Sequence, residues 1–338
     1  MMFQIDPDIR KAKTLASDFY TDERYFEMSK AKIFARSWQF LGKANEFSGL
    51  KPATILPGFL DEPVLLVKTD ESLTCLSNVC THRGKILVEE PCEAKLIRCG
   101  YHGRRFSLDG KFLSMPEFEG VENFPSESDN LRQLQFAVRG GFIFASLDPA
   151  DSFAAFVDDA ASQLADLEPR GLRLTSTREY EVQAHWALYC ENYLEGFHIP
   201  YVHRDLNEIV DYGSYTTETF RYSSLQTGFD EVGEVAARYL FVFPNLMFNF
   251  YPWGISVNVV RPVTPSSSVV EFLTYVSNES LTDKGAGADL HSVELEDESV
   301  VESVQKGIRS RFYSHGRYSP TREQGTHHFH RLIAEFME

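Results

Sequence analysis

Apolar positions change their spacing twice along this chain. Over residues 22–38, Phe26, Ile33, Phe34 and Trp38 fall roughly on one stripe, which predicts a helix. From about 40 to 147 short β-rich runs replace that spacing, among them Val64–Lys68 and Thr74–Val79. Asp109-Gly110, set between Arg105-Phe106-Ser107 and Lys111-Phe112-Leu113, predicts a hairpin; Gly140-Gly141, between Leu134–Val138 and Phe142–Leu147, predicts a second. After Asp148-Pro149 the helical spacing returns. Phe153, Phe156, Val157, Ala160, Leu164 and Leu167 form an amphipathic stripe, with Ser152 as its N-cap. Tyr180, Val182 and Ala184 alternate as a strand does, and Trp186–Phe197 predicts a helix. Residues 237–250, 254–261 and 268–277 read as strands, and 296–314 as a helix with Val301, Val304 and Ile308 on one face. The polar, glycine-containing stretch from Ser280 to Ala288 predicts a loop. Strands with segregated helices indicate an α+β chain, divided at residues 1–38, 39–148 and 149–338.

Composition narrows the function classes. The chain has 338 residues, 43% of them hydrophobic, enough for about two domains with cores of their own. Its formal charge of −16 excludes nucleic acid as a sequence-independent partner, because that binding needs cationic phosphate contacts. The start, MMFQIDPDIRKAK, lacks the apolar core of a signal peptide, and no run approaches a membrane span. The expectation is a cytoplasmic protein without a membrane partner. Five cysteines, an odd number, point to metal binding or burial rather than to a disulfide framework.

Two short stretches carry candidate chemistry in the β-rich region. Cys80-Thr81-His82 and Cys99-Gly100-Tyr101-His102 each offer one thiol and one imidazole, with sixteen residues between His82 and Cys99. A Rieske [2Fe–2S] cluster draws on that supply, two thiolates on one iron and two imidazoles on the other. A structural zinc site could use the same residue types, but zinc fingers usually group like ligands together. Cys75 and Cys92 fall outside the spacing and read as buried thiols.

The next constellation runs from Glu191 to His203. His198 and His203 stand five apart, which an ideal helix would put on different faces, but Pro200 between them disturbs the helix and can bring both imidazoles to one point. Two histidines and one carboxylate, with open positions, form the facial triad of non-haem Fe(II) oxygenases. The carboxylate is sought in Leu295-Glu296-Asp297-Glu298. Asp297, four residues before Val301, belongs to the inward face, and Glu296 is the near alternative. An acidic run is otherwise an ordinary solvated helix start.

With both constellations in this order, the chain resembles the α subunit of Rieske non-haem iron oxygenases, the ring-hydroxylating superfamily, and lies nearest in motif to its choline- and carnitine-monooxygenase members. Phe243-Pro244-Asn245-Leu246-Met247 and Val304-Gln305-Lys306-Gly307-Ile308 share in that likeness. The resemblance implies an all-β Rieske domain followed by a helix-grip catalytic domain, an antiparallel sheet with helices, on which residues 1–38 pack. It implies Cys80, His82, Cys99 and His102 as cluster ligands, and His198, His203 and Asp297 as ligands of a mononuclear Fe(II). Glu195, three before His198, takes the position of an acid that joins the cluster of one subunit to the iron of the next, which implies a homotrimer; Glu195 and Asn192 are the candidate catalytic residues. Electrons would come from NAD(P)H through a separate reductase or ferredoxin. The family usually has Cys-Pro-Tyr-His-Gly-Trp at the second loop, whereas this chain has Gly100 and Arg104 in place of the Pro and the Trp.

The function implied is oxygenation with O2, hydroxylation or N-demethylation of a small organic substrate, with quaternary ammonium preferred. The alternatives are an aromatic-ring hydroxylating oxygenase and a non-catalytic Rieske electron carrier or binding protein. Phe241, Met247, Phe250, Tyr251 and Trp253 are the candidate pocket residues, of which strand alternation allows about half to face a pocket.

Overall fold

A computed structural model of the chain describes residues 3–162, 171–203, 211–282, 287 and 290–338. It divides into two compact units, residues 35–150 and residues 1–34 together with 151–338.

The unit at 35–150 is built of nine short strands in three antiparallel sheets. They are β1 (Gln39–Lys43), β2 (Gly49–Ile55), β3 (Glu62–Lys68), β4 (Leu73–Ser77), β5 (Ile97–Arg98), β6 (Arg105–Phe106), β7 (Phe112–Ser114), β8 (Gln135–Arg139) and β9 (Phe142–Ser146), ordered β2-β3-β4, β5-β6-β7 and β1-β9-β8. Both hairpins read from the sequence form, β6–β7 around Asp109-Gly110 and β8–β9 around Gly140-Gly141. Leu65, Leu76, Ile97, Phe106 and Leu131 make an apolar core that also takes in Cys80 and Cys99.

The other unit opens with helices α1 (Asp18–Thr21) and α2 (Glu23–Ser29), continued by one π turn, Lys30–Phe34. The predicted helix over 22–38 therefore stops at Phe34. Trp38 lies just before β1, and the π turn re-aims Ile33 and Phe34, both fully buried. Helix α3 (Phe153–Ser162) is N-capped by Ser152, whose hydroxyl accepts the Ala155 N–H at 3.3 Å; Leu164 and Leu167 lie outside the described residues. Seven antiparallel strands follow in one sheet: β10 (Arg173–Val182), β11 (Thr216–Thr219), β12 (Ser223–Phe229), β13 (Val235–Val242), β14 (Leu246–Tyr251), β15 (Gly254–Thr264) and β16 (Ser267–Val276), in the order β10-β16-β15-β14-β13-β12-β11.

Two helical segments, α4 (Trp186–Tyr193) and α5 (Ile199–Val202), interrupt the strands, and α6 (Leu290–Gly307) and α7 (Gln324–Met337) follow them. Trp186 anchors α4, with its ring edge-on to Phe34 and to Phe329 of α7. Further elements differ from the pattern reading, and the helix read as Trp186–Phe197 stops at Tyr193. Residues 237–250 form two strands, because the turn at Phe243-Pro244-Asn245 splits them. The helix read as 296–314 runs instead from Leu290 to Gly307, and Val304 on it is exposed while Glu294, Val301 and Gln305 are buried. Strand β12 escapes the pattern because Ser223, Ser224 and Gln226 are polar yet buried, and β11 because it is short, polar and mostly exposed. The loop predicted over 280–288 lies partly outside the described residues.

Candidate functional site

The two Cys/His stretches fold into matching loops. Cys80 N–H donates to Lys85 O at 2.8 Å, and Cys99 N–H donates to Arg104 O at 2.8 Å; Gly84 N–H returns to Cys80 O, and Gly103 N–H to Cys99 O. Each loop thus closes on its cysteine through a glycine at positive φ (Gly84 +70°, Gly103 +75°), a conformation that a side chain would strain. The result is a pair of equivalent turns that present one thiol and one imidazole each. The thiols are free and buried, and close enough to hydrogen-bond; burial raises the Cys80 pKa. The rings of His82 and His102 stand 4.8 Å apart, half-buried and exposed respectively. Thiols inside and imidazoles at the surface match a cluster with one all-sulfur iron and one imidazole-bound iron facing outward.

The second constellation is assembled by α4, α5 and α6. His198 ends the turn after α4, Pro200 opens the single turn of α5, and His203 follows it, which brings the two imidazole rings to 5.1 Å at 76°. Asp297 comes from the middle of α6, one turn after Glu294 and one before Val301. Its Oδ1 lies 3.0 Å from His203 Nε2 and 3.5 Å from His198 Nε2. One donor atom from each of His198, His203 and Asp297 lies within 4.8 Å of the others. Both Nδ1 atoms face other carboxylates: His198 to Glu195 Oε1 at 2.7 Å and His203 to Glu296 Oε2 at 2.7 Å. Glu296, the near alternative for the ligand, thus lies on the far side of His203 from Asp297. Each imidazole has its Nδ1 held by a carboxylate and its Nε2 turned towards Asp297, where a metal would be shared, the arrangement that fixes tautomer and ring orientation. The donor set, two nitrogens and an oxygen, fits a divalent transition metal with open positions.

Neighbouring contacts complete the frame. Asn192 Nδ2 donates to Asp297 Oδ1 at 2.5 Å. Glu195 also accepts the backbone N–H groups of Phe197 and His198, so it ties down the turn as well as the ring. Burial opposes the charged form of His203, but its bonds to Asp297 and Glu296 outweigh this and raise its pKa.

A cavity of about 110 Å³ opens on these three side chains. A single water needs about 10–15 Å³ of such space, so the cavity has room for roughly seven to eleven water-sized groups, the size of a small organic molecule. Tyr189 and Tyr193 reach it from α4, Tyr215 from the segment before β11, Tyr239 from β13 and Tyr251 from β14. Gly196 admits the Tyr215 ring, because a Cβ there would lie 2.9 Å from it. Burial raises the pKa of Tyr193, Tyr215 and Tyr251 and pushes Tyr239 up to about 12, so these rings stay neutral. The carboxyls lining the cavity are Glu195, Asp297 and Glu294, and its described lining includes no lysine or arginine. Burial pushes Glu294 up to about 8, against the effect of the Tyr189 hydroxyl, which donates to it at 2.6 Å.

Of the five aromatic and sulfur-bearing residues read as pocket candidates, Tyr251 alone is on the described lining. Phe241 and Met247 are core, buried by packing under the sheet, and Trp253 faces an adjoining cavity. Tyr189, Tyr193, Tyr215, Tyr239 and Glu294 were missed. The signal for Tyr189 and Tyr193 was their spacing relative to Asn192, and for Glu294 its place one turn before Asp297; nothing local marks Tyr215 or Tyr239.

Comparison with known proteins agrees with both constellations. The family model for the Rieske [2Fe-2S] domain matches residues 37–125, and that for the ring hydroxylating alpha subunit (catalytic domain) matches 169–235 and 214–338. The chain is 30% identical to the chloroplastic choline monooxygenase of Arabidopsis thaliana, over 98% of its own length and 85% of that protein. It is also 30% identical to the carnitine monooxygenase oxygenase subunit of Escherichia coli K12, over 96% and 94% of the two chains. Among solved structures, the quaternary ammonium Rieske monooxygenase CntA in complex with L-carnitine superposes with a TM-score of 0.81 at 27% identity, over 99% of this chain and all of that one. Naphthalene 1,2-dioxygenase, at 19% identity and a TM-score of 0.77, shares the fold. No helix among the described residues is long and apolar enough to cross a membrane.

Proposed function

This chain belongs to the family of Rieske ring-hydroxylating oxygenase α subunits, and from that premise we propose that it oxygenates a small quaternary ammonium compound. The observation that carries the substrate class is the cavity: neutral tyrosine faces and carboxylates surround it, and its described lining has no lysine or arginine. A permanent cation gains from both. Each ring face contributes about 0.5–2 kcal/mol by cation–π attraction, more as water is excluded. The named activities of the choline and carnitine monooxygenases to which the chain is similar support the same reading.

When bound, the Rieske cluster supplies single electrons and the mononuclear iron supplies the O2 chemistry. Cys80, Cys99, His82 and His102 would hold the first, and His198, His203 and Asp297 the second. The side chains then have distinct tasks. Glu195 and Glu296 hold the two imidazoles by Nδ1 and keep both Nε2 atoms turned inward. Asn192 holds the Asp297 carboxylate in one rotamer by donating to Oδ1. The tyrosines orient the onium group and exclude water beside the open face of the site. Glu294, protonated below about pH 8, adds a neutral hydrogen-bonding group rather than a third charge.

In the same reading Glu195 lies between the iron site of its own subunit and His102 of a neighbour in a cyclic homotrimer, and the electrons come from NAD(P)H through a separate reductase or ferredoxin. The test is a panel of choline-type, carnitine-type and aromatic compounds given to the reduced protein, with O2 uptake and product measured together. Coupled O2 uptake and oxygenated product with a quaternary ammonium is expected. Product with an aromatic compound alone would overturn the reading.

A further inference from the structure

Arg104 stands where the family usually has a tryptophan, and its surroundings are unusual for a cation. It is among the largest fully buried side chains of the molecule. Its guanidinium carbon lies 5.7 Å from the ring centroid of Phe106, 4.9 Å from Phe112 and 5.5 Å from Phe124. Such a box replaces the lost hydration with ring faces. One carboxylate completes it: Arg104 Nη2 donates to Asp129 Oδ1 at 2.5 Å and reaches Asp129 O at 3.4 Å, while Arg104 Nε has no hydrogen-bond partner.

This pair touches both ligand loops. On one side, Arg104 O accepts the N–H of Cys99. On the other, Asp129 O accepts the hydroxyl of Thr81, the residue between Cys80 and His82, at 2.8 Å. Asp129 is itself held by Ser126, whose N–H and hydroxyl both donate to Oδ2. The aromatic box extends towards the imidazoles as well, from Phe124 to Phe118 and from Phe118 edge-on to His82. The backbone that presents each cysteine is therefore braced on one ion pair.

We propose that the Arg104–Asp129 pair positions the two ligand loops of the [2Fe–2S] cluster and that the buried Arg104 charge sets its reduction potential. The inference rests on the Rieske reading of Cys80, His82, Cys99 and His102. The physical reason is charge. Reduction adds one electron to the cluster, and net charge and burial are the levers by which a protein tunes a cluster's potential. A permanent cation in a dry box is weakly screened and favours the reduced form; a lone carboxylate there disfavours it. Asp129 moderates the cation without cancelling it, because the two charges do not coincide in space.

The two partners must then act in opposite directions, which a purely mechanical brace would not produce. The experiment is a redox titration of the holoprotein followed by the cluster's electron paramagnetic resonance signal, with iron and acid-labile sulfide measured alongside. In Arg104→Gln the midpoint potential is expected to fall, in Asp129→Asn to rise, and in Arg104→Lys to stay near the wild-type value with a partial loss of cluster occupancy. Shifts of both Gln and Asn variants in one direction, or no shift in either, would overturn the proposal. Should Arg104→Gln fail to assemble a cluster, Asp129→Asn and Arg104→Lys decide: an unchanged or lowered potential in Asp129→Asn refutes the electrostatic role. Absence of sulfide and of the cluster signal from wild-type protein would instead refute the Rieske reading on which this one stands.

Discussion

Removing Glu195 should weaken metal retention at the His198–His203–Asp297 site far more than removing Glu296, although both carboxylates lie 2.7 Å from an imidazole Nδ1. The difference is solvent. The Glu195 side chain is 14% exposed and that of Glu296 is 46% exposed. A hydrogen bond to a charged group in a shielded position contributes about 1.5–3 kcal/mol. One tenfold step is about 1.4 kcal/mol, so Glu195→Ala should raise the Fe(II) dissociation constant roughly 10- to 100-fold. Exposure cuts the Glu296 interaction to about 1 kcal/mol or less, so Glu296→Ala should cost roughly fivefold at most. Glu195→Gln keeps an acceptor without the charge and should fall between wild type and Glu195→Ala. It also controls for the backbone bonds to Phe197 and His198 that the alanine variant loses. The assay is anaerobic Fe(II) titration by calorimetry on protein stripped of mononuclear metal with its cluster intact. A Glu195→Ala constant within threefold of wild type, or a larger effect from Glu296→Ala, would refute this reasoning.

Other consequences follow from the cavity and the core. Tyr239→Leu removes a ring face and should raise the KM for a quaternary ammonium substrate up to about 30-fold with kcat little changed, while Tyr239→Phe should stay close to wild type; steady-state kinetics checks both. His185 is wholly buried, accepts the Ala187 N–H at the start of α4, and burial lowers its pKa to about 3. The unfolded chain takes up that proton near pH 6.5, so stability should be full above 6.5 and fall as pH drops towards 3, by up to about 1.4 kcal/mol per pH unit. Denaturant melts from pH 7 to 4 test this, and His185→Gln should flatten the slope. Glu294 carries the opposite sign. Its folded pKa of about 8 exceeds the unfolded value, so in metal-free protein its contribution is most favourable below about 4.5 and is lost as pH rises towards 8. Glu294→Gln should therefore gain stability over wild type at pH 8 more than at pH 5, and equal gains would contradict the burial argument.

Much of the site was legible because its chemistry is local. Each Cys/His loop lies within a few residues, and its closing glycine is at a fixed distance from its cysteine. The pair His198 and His203 is five apart with Pro200 between them, and the single turn of α5 accounts for their convergence. Asp297 and Glu296 are adjacent in sequence, and α6 separates them: one side chain reaches the Nε2 side of His203 and the other its Nδ1 side. The cavity wall was not legible in the same way. Tyr215, from the segment before β11, and Tyr239, from β13, are distant in sequence from Tyr193 and meet it only through the folding of the sheet. Aromatic alternation near Met247 gave Tyr251 but also Phe241 and Met247, because the same strand face also packs the core. Strand β12 was missed since buried serines and a glutamine break the usual apolar signature, and β11 since its four residues are polar and mostly exposed.

In the proposed function two separate iron centres serve one oxygenation at the tyrosine-lined cavity. Its most direct test is a single-turnover experiment on fully reduced protein, with Asp297→Ala beside wild type. About three irons and two acid-labile sulfides per chain are expected in wild type, with oxygenated quaternary ammonium product on admission of O2. The variant should keep both sulfides and the cluster signal, lose about one iron and form no product. Product from Asp297→Ala at the wild-type yield, or loss of the cluster signal together with the third iron, would contradict it.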